Sequence, residues 1–151
     1  MGTFLLIIFI VALALAPLAH FVPSKRQRRI ARLREYAAVQ GLFVEFRSPP
    51  KELASSAGDY RPGSTIYYGL RFPASRRKEP TPGVWLRRHG EWRPASGIKV
   101  CPQRLSRLPD DIFAASIDSQ SCGIYWQEAG EEGEIDVICY VLQAFANELE
   151  S

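Results

Sequence analysis

The sequence is poor in the residues on which most enzyme sites depend. It has only two histidines and three cysteines among 151 residues. It contains no glycine-rich phosphate loop, no G-x-S-x-G, no H-E-x-x-H and no C-x-x-C. These absences exclude the common signatures of phosphate binding, serine hydrolysis, zinc proteolysis and dithiol chemistry. We therefore predict a protein that is not an enzyme, with no cofactor and no metal site.

The cysteines Cys101, Cys122 and Cys139 are odd in number and widely spaced, which does not predict a disulfide framework. We expect buried thiols in a reducing compartment. Two chemical alternatives stay open. Cys122 could pair with His89 as a nucleophile and base, or the three cysteines and His89 could hold zinc, although the close ligand pairs of zinc sites are missing.

Positive charge is missing from both ends of the chain. All 19 Lys and Arg lie between Lys25 and Arg107, and ten Asp and Glu follow Arg107. Such asymmetry suggests an interaction surface at one or both ends. The alternative is that the acidic end and the basic middle pair within the fold.

Charge of either sign is absent from Phe4 to Val22, a run of 19 residues. At ~1.5 Å per residue this run nearly matches a ~30 Å hydrocarbon core. A cleaved export signal would need a charged start and a shorter apolar run. The small-x-small sequence Ala14-Leu15-Ala16 is followed directly by Pro17, which should hinder cleavage. We therefore predict that residues 1–23 form an uncleaved transmembrane anchor.

A basic segment follows, and residues 24–41 predict a juxtamembrane helix with Ser24 as its N-cap and Gly41 at its end. Positive charge next to a span stays on the cytoplasmic side. We therefore expect a bacterial inner-membrane protein with a periplasmic N-terminus and a cytoplasmic domain. Anionic headgroups are the expected partner of this segment, and nucleic acid is not expected because no binding motif accompanies it. The predicted membrane-surface residues are Lys25, Arg26, Arg28, Arg29, Arg32 and Arg34.

Residues 42–151 predict a small α+β domain, in which an antiparallel sheet of four or five short strands is packed by one or two helices. Apolar and β-branched runs predict the strands, and apolar periodicity predicts the helices. The helices are expected at Pro109–Ser119 and Glu134–Glu150, although Ile135–Tyr140 could also be a strand. The predicted strands are Leu42–Arg47, Ser64–Phe72, a hairpin around His89 and Gly90, an edge segment at Gly97–Cys101, and Cys122–Glu128.

Aromatic and arginine residues are interleaved along the predicted hairpin. Aromatic residues on strands are most often core residues or cross-strand pairs. If they face outward beside arginines, the resulting surface has the residue types that are typical of interface hot spots. The possible interface comprises Trp85, Arg87, Arg88, Trp92 and Arg93.

The stretch "VPSKRQRRIARLREYAAVQGLFVEF", Val22–Phe46, resembles part of the small accessory subunit of the bacterial preprotein translocase. That family also has one N-terminal span, a proline, a Lys/Arg/Gln-rich stretch, a short helix and a glycine before a strand. The resemblance covers 25 of 151 residues. The family's Gly-Asp and Gly-Gly turn are missing after Gly41, so its function is not carried over. As a whole the chain resembles small single-pass inner-membrane proteins of Gram-negative bacteria, which implies a location.

These observations favour a bitopic inner-membrane protein whose cytoplasmic domain is a non-enzymatic interaction, assembly or accessory module for a membrane complex. Two alternatives remain. One is a membrane-tethered enzyme or small-ligand-binding domain that uses Cys122, His89 or the cluster of tyrosines and tryptophans. The other is a structural subunit of a respiratory or transport complex, in which Pro17 and the small residues Ala12, Ala14 and Ala16 would face another helix.

Overall fold

A computed structural model describes residues 1–54, 63–74, 79–95 and 100–150 of the chain. Most of the edge segment predicted at Gly97–Cys101 therefore lies outside the described residues. The chain divides into two compact units, Met1–Ala31 and Arg32–Ser151.

The first unit begins with helix α1, Gly2–Ala19, whose large apolar side chains are exposed. Its 18 residues rise about 27 Å at ~1.5 Å each. Pro17 occupies its last turn, where it removes one backbone donor. Within the ranges described, no helix combines the length and apolar character that crossing a membrane requires.

The transmembrane anchor predicted for residues 1–23 is therefore wrong, and with it the first element of the predicted fold. The single-pass inner-membrane location, with a periplasmic N-terminus and a cytoplasmic domain, depended on that span and is corrected with it.

Helix α2, Lys25–Val39, begins and ends with recognisable caps. Gln27 N donates to Ser24 Oγ at 3.2 Å, and Ser24 N donates to Gln27 Oε1 at 2.8 Å, which is a reciprocal capping box. Gly41 has φ +87°, and Leu42 N donates to Ala37 O at 2.9 Å, as in a Schellman motif. The predicted N-cap and terminating glycine are both confirmed.

The second unit is α+β and contains one six-stranded antiparallel sheet in the order β1-β2-β6-β5-β3-β4. A short helix α3, Lys51–Ala54, follows β1, and a 3₁₀ helix, Gln103–Arg107, precedes β5. The hairpin turn predicted at His89 and Gly90 is confirmed, since both have positive φ and join β3 to β4. The strands are β1 Phe43–Glu45, β2 Ile66–Arg71, β3 Gly83–Arg88, β4 Glu91–Pro94, β5 Ile112–Ile117 and β6 Ser121–Trp126.

Strand β5 corrects the helix predicted at Pro109–Ser119. Its residues pair with β3 on one side and with β6 on the other, with an irregularity between Ile112 and Ala114. Hydrogen bonds to two neighbouring strands override a weak helical pattern, because propensity is only a prior that tertiary pairing can reverse. The sheet therefore has six strands instead of the four or five expected.

One face of the sheet, called the front face here, carries the main core. The second half of α2 contributes Leu33 and Ala37, and helix α4, Glu132–Glu150, covers most of the rest. The predicted apolar stripe of α4 is buried at Ile135, Ile138, Leu142 and Phe145. Helix is therefore the correct reading of Ile135–Tyr140, and the strand alternative is wrong.

The opposite, back face carries a smaller cluster around Tyr67, Tyr125 and Leu86. The Tyr67 ring packs against Gly69 of its own strand, β2, and against Gly123 of the neighbouring strand, β6. A Cβ added at Gly123 would lie 2.3 Å from Tyr67 Cζ, and one added at Gly69 would lie 2.6 Å from Tyr67 Cε1. Both glycines are therefore required by the ring that packs against them.

Candidate functional site

The basic segment of the first unit is exposed. Lys25, Arg26, Arg28 and Arg29 are all exposed on the first turns of α2. Arg28 Nε donates to Pro23 O at 3.1 Å. The first carboxylate of the chain is Glu35, so the unit contains no acidic side chain. These four cations therefore meet no negative side chain within their own unit.

Arg34, predicted as a membrane-surface residue, is instead part of a buried network in the second unit. Its guanidinium donates to both carboxylate oxygens of Glu128 at 2.7 and 2.8 Å, and Tyr68 Oη donates to Glu128 Oε1 at 2.7 Å. Glu128 is only 3% exposed. Burial and the neighbouring Glu128 carboxylate raise the pKa of Tyr68, so its hydroxyl stays a donor. Within the second unit, Arg34 therefore connects the C-terminal half of α2 to Glu128 and Tyr68, whereas Arg32 is exposed.

Other acidic residues of the C-terminal third also pair within the second unit. Arg47 Nη1 lies 3.1 Å from Asp118 Oδ2, and Arg87 pairs with Asp110. Together with the Arg34–Glu128 pair, these contacts support the alternative that basic and acidic regions pair inside the fold. The charge asymmetry of the sequence is thus partly neutralised in the second unit.

The five residues of the possible interface do not form one patch, because side chains alternate across the sheet. Trp85, Arg87 and Trp92 lie on the front side, where Trp85 is buried and stacks on Phe145 at 6.2 Å. Arg87 donates to Pro109 O at 2.7 Å and packs over the Trp92 ring.

The other two members of that set, Arg88 and Arg93, alternate to the back side. Arg88 reaches Glu52 O at 3.4 Å, and Arg93 pairs with Glu91 at 3.1 Å. The structure therefore divides these five residues between the core and two sides of the sheet, and their role in an interface stays a prediction.

Cys122 and His89 are not brought together. Cys122 pairs in register with Ile117, which pairs with Gly83 at the start of β3. His89 follows the other end of β3, six positions further along, or about 20 Å at ~3.3 Å per residue. Burial raises the pKa of the Cys122 thiol to about 12, the reverse of an activated nucleophile. The geometry therefore opposes the Cys–His pair.

The structure also shows no candidate metal site among the described residues. Across the described ranges, no group of three or more His, Cys, Asp or Glu side chains is placed to hold a metal ion. Asp111 and Glu134 are nevertheless close enough to influence each other, and burial followed by the Asp111 charge raises the pKa of Glu134. Both Asp111 carboxylate oxygens are buried and have no hydrogen-bond partner among the described residues.

A groove of about 950 Å³ lies between the 3₁₀ helix and α4. Arg104 Nη1 donates to Ala144 O at 2.7 Å, and the Arg107 guanidinium lies 6.0 Å from the centre of the Tyr140 ring. Among the lining residues that the structure describes there are two arginines and no carboxylate. We call this feature the η1–α4 groove, after the 3₁₀ helix Gln103–Arg107, labelled η1, and helix α4. The remaining lining residues include the amides Gln103, Gln143 and Asn147.

A second concavity of about 680 Å³, beside β1 and β2, has a different electrostatic character. Its arginines, Arg47 and Arg71, stand among the acids Glu45, Glu79 and Asp118. Arg47 also lies 4.1 Å above the Tyr67 ring. The described lining of this basin therefore carries two arginines and three carboxylates, whereas that of the η1–α4 groove carries two arginines and no carboxylate.

The sequence does not point to the η1–α4 groove, because its two sides are 33 positions apart at the Arg107–Tyr140 contact. One signal was available: Tyr140, Gln143 and Asn147 recur every three to four residues, on the side of α4 away from the apolar stripe.

Comparisons with known proteins give little further guidance. No protein-family model matches the sequence, and no curated protein matches it. One solved structure, the crystal structure of the mycobacterial trehalose monomycolate transport factor A, TtfA, is similar at 13% identity and a TM-score of 0.44. The match covers 78% of this chain and 92% of that one. A likeness this distant carries no argument about function.

Proposed function

We propose that the protein is a non-enzymatic interaction module with two kinds of partner: anionic lipid headgroups at the basic segment, and a protein at the α+β domain. The observation that carries the proposal is the exposure of Lys25, Arg26 and Arg28 in a unit that has no carboxylate. Exposed cations without a negative side chain in their own unit favour an external anion.

Helix α1 supports the choice of lipid as that anion. Its large apolar side chains, from Phe4 to Leu18, are about half exposed or more. Contiguous exposed apolar surface of this kind marks an interaction site. A phospholipid offers apolar chains and an anionic headgroup together, so one class of molecule satisfies both parts of the first unit. Basic residues near such a surface contribute about 1 kcal/mol each.

Vesicle binding by the full chain tests the headgroup contact. We expect tighter binding to vesicles that contain anionic phospholipid than to zwitterionic vesicles. Changing Lys25, Arg26, Arg28 and Arg29 together to Gln should remove this preference, a loss of up to about 4 kcal/mol. Binding to zwitterionic vesicles through α1 should persist.

A matched control removes the same number of positive charges elsewhere. Lys51, Arg71, Arg88 and Arg93 are exposed residues of the second unit, and their replacement by Gln should leave the lipid preference intact. If both fourfold variants lose the preference equally, net charge explains the binding and the basic segment has no special role.

A further inference from the structure

We propose that the outer edge of strand β1 pairs with the same edge of a second copy of the chain, in an antiparallel ladder from Val44 to Ser48 with Phe46 on the twofold axis. The inference rests on the proposed function and deepens it, since it names a second copy as the protein partner of the α+β domain. It uses residues of the second unit only and does not involve the basic segment.

Strand β1 lies at one end of the sheet. It pairs with β2 on one side, and on its other side it meets no strand among the described residues. The outer side of such a strand presents backbone N–H and C=O groups that can pair with another chain, and proline within the strand is one device that prevents this. The first proline after β1 is Pro49, so all five residues from Val44 to Ser48 can take part in a ladder.

Phe46 gives this edge an apolar contact. Its side chain is 81% exposed directly after β1. The Arg34 guanidinium lies 5.4 Å from the centre of its ring, and that charge is already paired with Glu128. Across a twofold axis each copy presents the same patch to the other, so Phe46 meets its own counterpart. An aromatic pair stabilises such a contact beyond the area that it buries.

The charges on either side of Phe46 are complementary to themselves. With Phe46 on the axis, Glu45 of one copy lies opposite Arg47 of the other, and this pair occurs twice. Opposite charges directly across a ladder stabilise it. Glu45 is 51% exposed. Within one chain Arg47 already contacts Asp118 and lies 4.1 Å above the Tyr67 ring, so its guanidinium is held beside β1 before a second copy arrives.

The opposite edge of the sheet lacks the apolar contact. Strand β4 has the same order of residue types, Glu91, Trp92 and Arg93, with 3.1 Å between the two charged groups. Its aromatic ring, however, packs against the main core and against Arg87. The strand ends at Pro94, which has no backbone donor. We therefore assign the pairing to β1, and β4 supplies a matched control.

Disulfide cross-linking of the full chain, in detergent that covers helix α1, tests this arrangement. Cys101→Ser first removes the partly exposed thiol, whereas Cys122 and Cys139 are buried. In that background Phe46→Cys should form a linked dimer under mild oxidation, because opposite Cα atoms lie about 4.5–5.5 Å apart, within disulfide range. Ser48→Cys should not, since two thiols that are each two positions from the axis are about 13 Å apart at ~3.3 Å per residue.

Three further variants measure random collision and the effect of charge. Val39→Cys places a thiol at an 80% exposed position at the end of α2, and it should cross-link only slowly. Adding Glu45→Lys to Phe46→Cys sets like charges across the ladder twice, which should slow the cross-link about tenfold. Adding Glu91→Lys instead makes the same change on β4 and should leave the rate unchanged.

Three results would overturn the pairing. One is a Phe46→Cys cross-link that forms no faster than that of Val39→Cys. Another is a Ser48→Cys cross-link as fast as that of Phe46→Cys, which would exclude the register. The third is equal slowing by Glu45→Lys and Glu91→Lys, which would assign the effect to net charge. The preference for anionic vesicles is measured without these variants, so a failure of the pairing and a failure of the lipid contact are distinguishable.

Discussion

Glu128 is a buried carboxylate that depends on its hydrogen-bond donors, Arg34 and Tyr68. Its carboxylate is 3% exposed and accepts hydrogen bonds from Arg34 and Tyr68. Its backbone has φ +54°, a conformation uncommon for a residue with a side chain. A buried carboxylate is tolerated only when it is paired and hydrogen-bonded, and here both conditions are met.

We predict that Glu128→Gln lowers the free energy of unfolding by about 2 kcal/mol, because hydrogen bonds to a charged group are lost while Arg34 stays partly buried. Urea denaturation measures the change. Glu45→Gln is the control: this carboxylate is 51% exposed and pairs with Arg47, so its loss should cost less than about 1 kcal/mol. Equal effects of the two substitutions would refute the importance assigned to the buried network.

Asp111 has the opposite character, since its buried carboxylate oxygens have no hydrogen-bond partner in the described part of the chain. Burial raises the pKa of Asp111, and burial and Asp111 raise the pKa of Glu134. The folded state therefore holds these protons more tightly than the unfolded state. Their contribution to stability is full below the unfolded pKa values and is lost as pH rises through the folded ones.

Asp111→Asn should therefore stabilise the protein at neutral pH, by roughly 1 kcal/mol. The gain should shrink as the pH falls toward about 4, where the wild-type carboxyls become protonated. Thermal or urea unfolding at a series of pH values measures this. A variant that is less stable than wild type at pH 7 would contradict the prediction and would indicate a partner for the carboxylate.

At the scale of the elements, glycine at specific positions of the sheet allows aromatic rings to pack closely against the backbone. Gly123 of β6 lies under the Tyr67 ring, where an added Cβ would also meet Tyr68 O at 2.5 Å. Gly133, in the first turn of α4, has nothing within 4 Å of its added Cβ. The same substitution should therefore have opposite effects at the two sites.

We predict that Gly123→Ala destabilises the fold by about 2 kcal/mol through overpacking. Gly133→Ala should stabilise it by about 0.5–1 kcal/mol, because alanine is the better helix former. Denaturation of the two variants side by side measures both effects. A tolerated Gly123→Ala would show that the Tyr67 ring can move aside.

The elements also show how far sequence reasoning reaches. Helix α4 could be predicted because its apolar residues from Ile135 to Phe145 recur at helical spacing. The end of α2 could be predicted because Gly41 is a typical helix-terminating residue. Strand β5 could not, because its conformation depends on pairing with two strands distant in sequence. Sequence patterns predict the elements that local interactions stabilise. Elements that depend on contacts between distant parts of the chain become evident only in the folded structure.

The same limit applies to the candidate sites. The basic segment is contiguous, so its four leading cations could be predicted, but the burial of Arg34 against Glu128 depends on a contact across 94 positions. The interleaved tryptophans and arginines of the hairpin suggested one patch. Alternation across the sheet divides them instead.

At the scale of the whole molecule, the distribution of charge is the central feature. The acids of the C-terminal third neutralise Arg34, Arg47 and Arg87 within the second unit. The cations of the first unit have no carboxylate in their own unit. This difference in charge is the basis of the lipid contact that we propose for the basic segment.

The most direct test of this account is the salt dependence of wild-type binding to anionic vesicles. Screening shortens the Debye length from ~10 Å at 0.1 M salt to ~3 Å at 1 M. We expect binding to weaken by about tenfold or more over that range and to approach the affinity for zwitterionic vesicles. Binding to anionic vesicles that is unchanged by salt would contradict the account, because it would assign the interaction to the apolar helix α1 alone.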